Sequence, residues 1–150
     1  MTYTYKYPRA ALTVDMLIFL KEANGLKVLL IQRGRPPFEG QWAFPGGFVN
    51  IDETLKQAAK RELKEETGLE NIELTQFYTF DAINRDPRHR TISVVYYGFA
   101  KSDNIKVKAD DDARDAKWFF VKNIPDLAFD HNDILKMALE KIMNYEIQNA

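Results

Sequence analysis

From Glu53 to Thr67 apolar residues recur at helical spacing, with Leu55, Ala58, Ala59 and Leu63 on one side, and Gly68 stands where a helix closes on a left-handed residue. The segments around it follow strand chemistry instead. Leu12 to Leu20 and Leu26 to Gln32 are rich in valine, isoleucine and leucine and are joined by Glu22-Ala23-Asn24-Gly25, which reads as a hairpin of largely buried strands. Glu73 to Phe80 and Thr91 to Ala100 read as two more strands, the second alternating Ile92, Val94 and Tyr96 against Ser93, Val95 and Tyr97. A short strand, Ala116 to Val121, precedes a second amphipathic helix from about Asn132 to Tyr145, with Ile134, Leu135, Ala138, Leu139 and Ile142 apolar. Strands before, between and after two helices predict an α/β protein, a mixed sheet with helices on its faces. Asn50, three residues before Glu53, is a capping pair for the first helix, and Asp52 competes for the cap position.

Nothing along the chain marks a boundary. There is no repeat or low-complexity tract, and the Pro/Gly-rich stretches are short loops such as Gly34 to Gly40, so residues 1–150 read as one domain. Hydrophobic residues make up 45% and charged residues 29%, the balance of a chain that folds by packing. The 21 lysines and arginines against 22 aspartates and glutamates leave a formal charge of −1, which gives no general attraction to nucleic acid or anionic membrane. Any anion site must be local. The absence of cysteine excludes disulfides, thiolate metal sites and cysteine nucleophiles, so a metal would sit on oxygen or imidazole. Ala10 to Leu20 follows Lys6 and Arg9, but Asp15 interrupts it and no small-residue cleavage site comes after it. It reads as a core strand, and the expectation is a cytoplasmic protein.

The chemistry is concentrated at the end of the first helix. Glu62, Glu65 and Glu66 stand three and four residues apart, so one side of the last turns carries three carboxylates. They repel one another and crowd the helix end where the macrodipole disfavours anions; Arg61, four residues before Glu65, offsets only part of this. A bound hard divalent cation would supply the missing charge: Mg²⁺ keeps several waters and takes a few carboxylates together with substrate phosphates. A merely solvated acidic face is the alternative that the spacing alone leaves open.

The full segment from Gly47 to Leu69 resembles the Nudix box, G-x5-E-x7-R-E-U-x-E-E-x-G-U with U aliphatic, at every specified position: Gly47, Glu53, Arg61, Glu62, Leu63, Glu65, Glu66, Gly68 and Leu69. That resemblance implies the Nudix fold, an α/β/α sandwich, with Glu62, Glu65, Glu66 and the Gly46 carbonyl as metal ligands and with Glu53 and Arg61 orienting the carboxylates. It implies Mg²⁺, with Mn²⁺ as a substitute, and hydrolysis of a phosphoanhydride. Such hydrolysis requires an in-line water, neutralised phosphate oxygens and a base. Glu65, Glu66 and the outside pair Asp111 and Asp112 all stand as candidates for that base, and a polar turn explains Asp110 to Asp112 as well.

The resemblance runs beyond the box. Trp42 to Val49 is similar to the W-A-L-P-G-G-F-V lead-in of one Nudix branch, with Phe44 in place of leucine. Arg85 to Arg88 with Arg90 and Ile92 to Val94, Asp111 to Ala113 before Trp118-Phe119, and Leu127 to His131 resemble segments of ADP-ribose pyrophosphatases and of the related ADP-ribose-sensing regulators. ADP-ribose, cleaved to AMP and ribose 5-phosphate, is therefore the expected substrate. Another nucleotide sugar, a dinucleotide or a nucleoside triphosphate is the alternative within the same chemistry. A non-catalytic sensing or interaction domain is the alternative outside it. The intact box opposes that last reading, as does the expectation that a chain of this length has no room for a DNA-binding module.

Arginines grip phosphates bidentately, so Arg85, Arg88 and Arg33 are candidate substrate-binding residues, although solvated loops explain them too. Tyr3, Tyr5, Tyr7, Trp42, Phe80, Tyr96 and Tyr97 read mostly as core or interface, and any one, Phe80 among them, is a candidate to stack on adenine. Asp15, a carboxylate inside an apolar strand, needs a partner and reads as structural, with a place in the nucleotide site as the alternative. His131, after the plausible cap Asp130, reads as structural, and His89 as exposed. Similar hydrolases are commonly homodimers, and the tyrosine-rich start from Tyr3 to Tyr7 is the candidate contact.

Overall fold

The structure, a computed structural model, describes residues 2–105 and 113–148. Strands β1 (Ala11–Glu22), β2 (Gly25–Arg33), β3 (Trp42–Ala43) and β4 (Gly46–Phe48) precede helix α1 (Leu55–Thr67); β5 (Thr75–Phe80), β6 (Thr91–Phe99), β7 (Ala113–Phe120) and helix α2 (His131–Gln148) follow. They form one seven-stranded sheet in the order β3-β2-β1-β6-β5, with β4 also on β1 and β7 also on β2. Among the described strands β1 and β6 pair in parallel, from Ala11 opposite Thr91 to Phe19 opposite Phe99. The other pairings are antiparallel, so the sheet is mixed, as the alternation of elements predicts.

Helices cover both faces, which is why β1 and β2 are apolar almost without a break. On one face Val14, Met16, Ile18, Leu29 and Ile31 pack with Ala58, Ala59 and Leu63 of α1. On the other Leu17, Phe19, Val28, Leu30 and Val95 pack with Ile134, Leu135, Ala138 and Ile142 of α2. Strand alternation puts Asp15 in the same row as Leu17 and Phe19, on the α2 side. The free edge of β1 is shared between two strands. β2 takes its end, from Phe19 to Glu22, and β4 takes its start, from Thr13 to Asp15.

The elements differ from expectation mainly at their ends. α1 begins at Leu55, capped by Thr54: its Oγ1 accepts from the Gln57 amide at 3.1 Å and Gln57 Oε1 accepts from the Thr54 amide at 2.9 Å. Neither Asn50 nor Asp52 caps it. Asn50 and Glu53 do bond reciprocally, amide to Oε1 at 2.8 Å and amide to carbonyl at 3.2 Å, but they close a loop turn that leaves Glu53 outside the helix. Gly68 ends α1 at φ 77°, its amide donating to the Lys64 carbonyl. β7 starts at Ala113 because its ladder with β2 carries the polar Arg114 and Asp115 as far as Arg33. β3 and β4, only two and three residues long, exist through pairing with β2 and β1. No helix among the described residues is long and apolar enough to cross a membrane.

Candidate active site

A cleft of about 670 Å³ opens where β4 and the last turn of α1 meet the start of β1, the loop before β6 and the N-terminus of α2. Thr13, Asp15, Gly46, Gly47, Glu62, Glu65 and Glu66 line one part, and Arg33, Arg85, Arg88, Phe129 and His131 line another.

The glutamate part is organised by a single guanidinium. Arg61 donates Nε and an NH2 nitrogen to the two Glu53 oxygens at 2.9 and 2.5 Å. Its other terminal nitrogen donates to Glu62 at 2.8 Å and Glu65 at 3.3 Å, and NH2 also reaches the Phe48 carbonyl at 3.1 Å. Those hydrogen bonds, with the amide of Asn50, hold the Glu53 carboxyl down to about 2, and its partners raise Arg61 further above its usual range. Glu53 is therefore a tether for Arg61 and a poor proton acceptor. Glu66 is buried, and its Oε1 accepts the Gly46 amide at 2.8 Å, which ties the helix end to β4.

Two glycines permit this approach. A Cβ on Gly47 would stand 2.5 Å from the Glu62 carboxyl carbon, and one on Gly46 would meet the Val14 carbonyl at 2.3 Å. Glu53, Glu62, Glu65 and Glu66 gather around Arg61, and carboxylates crowded in this way favour a cation. Among the described residues no three His, Asp or Glu side chains close into a ready cage. An open arrangement of this kind suits an ion that keeps waters and takes phosphate oxygens.

In the second part Arg85 and Arg88 each form a bidentate pair with a carboxylate. Arg85 donates through Nε and NH2 to both oxygens of Asp130 at 2.9 and 2.7 Å, with its side chain only 4% exposed. Arg88 does the same to Asp86 at 3.1 and 2.8 Å, and Asp86 also accepts the Arg88 amide and the Thr91 hydroxyl. Burial pushes the Asp86 carboxyl up, but the bonds from Arg88 outweigh it and hold the carboxyl below its ordinary value.

His131 is buried against Phe44, the rings 4.7 Å apart and nearly parallel. Its Nδ1 accepts the Phe44 amide at 3.1 Å, so the neutral ring carries its proton on Nε2, 3.8 Å from Asp15 Oδ1. Burial first, and the nearby Arg85 and Arg33, push its pKa down against the opposing charges of Asp15 and Asp130. Asp15 Oδ2 takes the buried Ser93 hydroxyl at 2.5 Å. Asp15 is thus hydrogen-bonded in the core and lines the cleft as well.

The structure brings Gly46, Glu62, Glu65, Glu66, Arg33, Arg85 and Arg88 to one cleft. Glu53 and Arg61 stand behind it. Phe80 does not belong to it: opposite Ser93 in the β5–β6 ladder, it packs beside Tyr78 and against the α2-side core. Asp112 lies outside the described residues, as does Asp111. Phe48 and Phe129 line the cleft without having been singled out. Phe129 adopts a left-handed backbone at φ 54°, uncommon for a bulky residue, directly before Asp130 and His131.

The model of the NUDIX domain family matches residues 10–138. The chain belongs to this family. Among its NUDIX relatives is the "ADP-ribose pyrophosphatase" of Methanocaldococcus jannaschii, 42% identical over 132 residues, covering 87% of this chain and 73% of the relative. The "ADPR responsive transcriptional repressor NtrR" of Acinetobacter baylyi is 34% identical over 142 residues, covering 92% of this chain and 56% of the repressor. This chain thus spans little more than half of that relative. Among solved structures, the NUDIX domain of Shewanella oneidensis NrtR complexed with ADP ribose superposes with a TM-score of 0.84 at 34% identity, covering 93% of this chain and 94% of that one. The fold is the expected three-layer Nudix arrangement, a mixed sheet between two helices.

Proposed function

We propose that this protein hydrolyses the diphosphate of ADP-ribose to AMP and ribose 5-phosphate with the help of a divalent cation, Mg²⁺ or in its place Mn²⁺. The observation that carries this reading is the glutamate-lined end of the cleft, where Glu62, Glu65 and Glu66 stand together with Gly46. The likeness to an ADP-ribose pyrophosphatase over 87% of the chain supports the choice of substrate. The Gly46 carbonyl and the three glutamates would hold the cation, which supplies charge neutralisation at the phosphate oxygens and a lowered pKa for water.

The chain's own residues do the rest. Arg61, pinned by Glu53, spaces Glu62 and Glu65, and the Gly46 amide fixes Glu66. Glu53 and Arg61 are positioning residues. Glu65 has a side chain 46% exposed and its hydrogen bond to Arg61 is long, so it is the described carboxylate best suited to take the attacking water's proton. Arg33 lines the same cleft and adds positive charge for the phosphates. A cytoplasmic homodimer completes the proposal, with the exposed Tyr3, Tyr5 and Tyr7 as its contact. Its partner is a small nucleotide, and nucleic acid has no role in it.

A second reading, binding of ADP-ribose without turnover, is favoured by the likeness to a regulator's NUDIX domain complexed with ADP ribose. Turnover separates the two. Phosphatase-coupled phosphate release should be measured with ADP-ribose, nucleotide sugars, dinucleotides and nucleoside triphosphates in Mg²⁺ or Mn²⁺, for the wild type and Glu66→Gln. Cleavage of ADP-ribose by the wild type and its loss in the variant is the expected result. Binding with no cleavage of any diphosphate would leave the sensing function in place of the enzyme.

A further inference from the structure

The arginine loop before β6 is built differently from a phosphate clamp. A clamp presents the guanidinium fork to the ligand, but Arg88 spends its Nε–NH2 edge on Asp86, whose side chain is 3% exposed and is further held by the Arg88 amide and Thr91. The pair is close to neutral, and the guanidinium is fixed in place.

Two aromatic rings flank it. The Arg88 guanidinium carbon lies 5.5 Å from the centre of Phe48 and 5.8 Å from that of Phe129, and all three residues line the cleft. Phe48 is 43% exposed, and exposed aromatic rings are among the groups that line ligand clefts. It is fixed through its backbone, since it pairs with Thr13 and its carbonyl accepts from Arg61. It follows Gly47, against which Glu62 packs. A planar group resting on Phe48 would therefore sit one strand residue from the carboxylates. Phe129, in turn, is held by the edge of Phe38 at 4.9 Å and by its left-handed backbone.

We propose that Phe48 and Arg88 form the wall on which the purine base of a nucleoside diphosphate stacks, with Phe129 backing Arg88. Aromatic rings and guanidinium planes are the groups on which bases stack, and a neutralised, immobilised arginine gives a planar surface at little further cost in order. Its position beside Phe48 assigns Arg88 to the base and not to the phosphates. This rests on the reading of the cleft as a nucleotide site, and it names the subsite that takes the base.

The test uses the full chain without metal and 2-aminopurine riboside 5′-monophosphate as the probe, because stacking quenches its fluorescence. The wild type should bind and quench it. Phe48→Ala should weaken binding by about tenfold or more and abolish most quenching, Phe48→Trp should restore both, and Arg88→Lys, which keeps the charge and loses the plane, should weaken it severalfold. Ribose 5-phosphate should compete equally well before and after Phe48→Ala, and unchanged thermal melting would show that the variant is folded. Quenching that survives Phe48→Ala, or an Arg88→Lys variant that binds as the wild type does, overturns the assignment. Failure to cleave ADP-ribose would overturn the enzymatic function while leaving this binding readout intact, so the two proposals fail separately.

Discussion

The end of α1 and the start of α2 supply charged residues to the same cleft on opposite electrostatic plans. At α1 one guanidinium is spread over Glu53, Glu62 and Glu65 while Glu66 leans on a backbone amide, so carboxylates stay in excess. At α2 Arg85 has its own carboxylate, Asp130, in a bidentate pair, and neutral His131 lies between the Phe44 amide and Asp15. The first plan costs folding stability, since like charges at a helix C-terminus are unfavourable alone, and it leaves an acidic helix end that favours a cation. The second stabilises the frame and has little left to offer a ligand. Proximity to the cleft therefore does not by itself make a charge available to a ligand.

The largest effect should come from breaking the first plan. Glu66→Gln keeps an acceptor for the Gly46 amide and removes one of the excess charges. We expect ADP-ribose turnover to fall by at least about a hundredfold, the upper range for losing even an outer partner of a metal site, with a melting temperature equal to or above that of the metal-free wild type. A variant that loses activity only because it unfolds would erase the contrast. Arg85→Ala should do the converse. It leaves Asp130 unpaired at a mostly buried position, a loss of about 3 kcal/mol in urea denaturation. A loss under about 1 kcal/mol would show that the α2 end is not the rigid frame described.

The difference between these plans also explains what could be read before folding. Glu62, Glu65 and Glu66 were legible because helical spacing alone puts them together, and Gly68 because a helix end requires a left-handed residue. The two core faces followed from apolar period. The partners of Arg85 and His131 were not legible: Asp130 is 45 residues from Arg85, and the Phe44 amide is 87 residues from His131. Two arginines written alike, Arg61 and Arg85, differ only in how many carboxylates the fold gives each. Phe80 read as an adenine platform because an aromatic in a strand carries no mark of which neighbours cover it. Phe48 had a usable signal, an aromatic directly after Gly46 and Gly47, but it read as part of a lead-in. β3 and β4 are too short to show any period.

Smaller effects should separate the two ends by pH. His131 has its pKa depressed by burial, so the unfolded chain binds its proton more readily. Stability from the α2 end should be full above about pH 6.5, the ordinary histidine value, and should begin to fall as the pH drops below it. Protonating Nδ1 would also remove the acceptor for the Phe44 amide. Glu53 has its pKa lowered from 4.5 to about 2, chiefly by Arg61, so its contribution is present above 4.5 and is lost as the pH falls toward 2. Its ion pair with Arg61 lies near the surface, where water screens it, and that loss should be the smallest effect here. Melting temperatures of the wild type, His131→Phe and Glu53→Gln between pH 8 and 2.5 would resolve the windows. The difference between the wild type and His131→Phe should shrink starting near pH 6.5, and that between the wild type and Glu53→Gln should stay flat to about 4.5 and only then narrow. If both differences shrank over one window, the two ends would belong to a single titrating network, and the contrast between an unbalanced site and a balanced frame would fail.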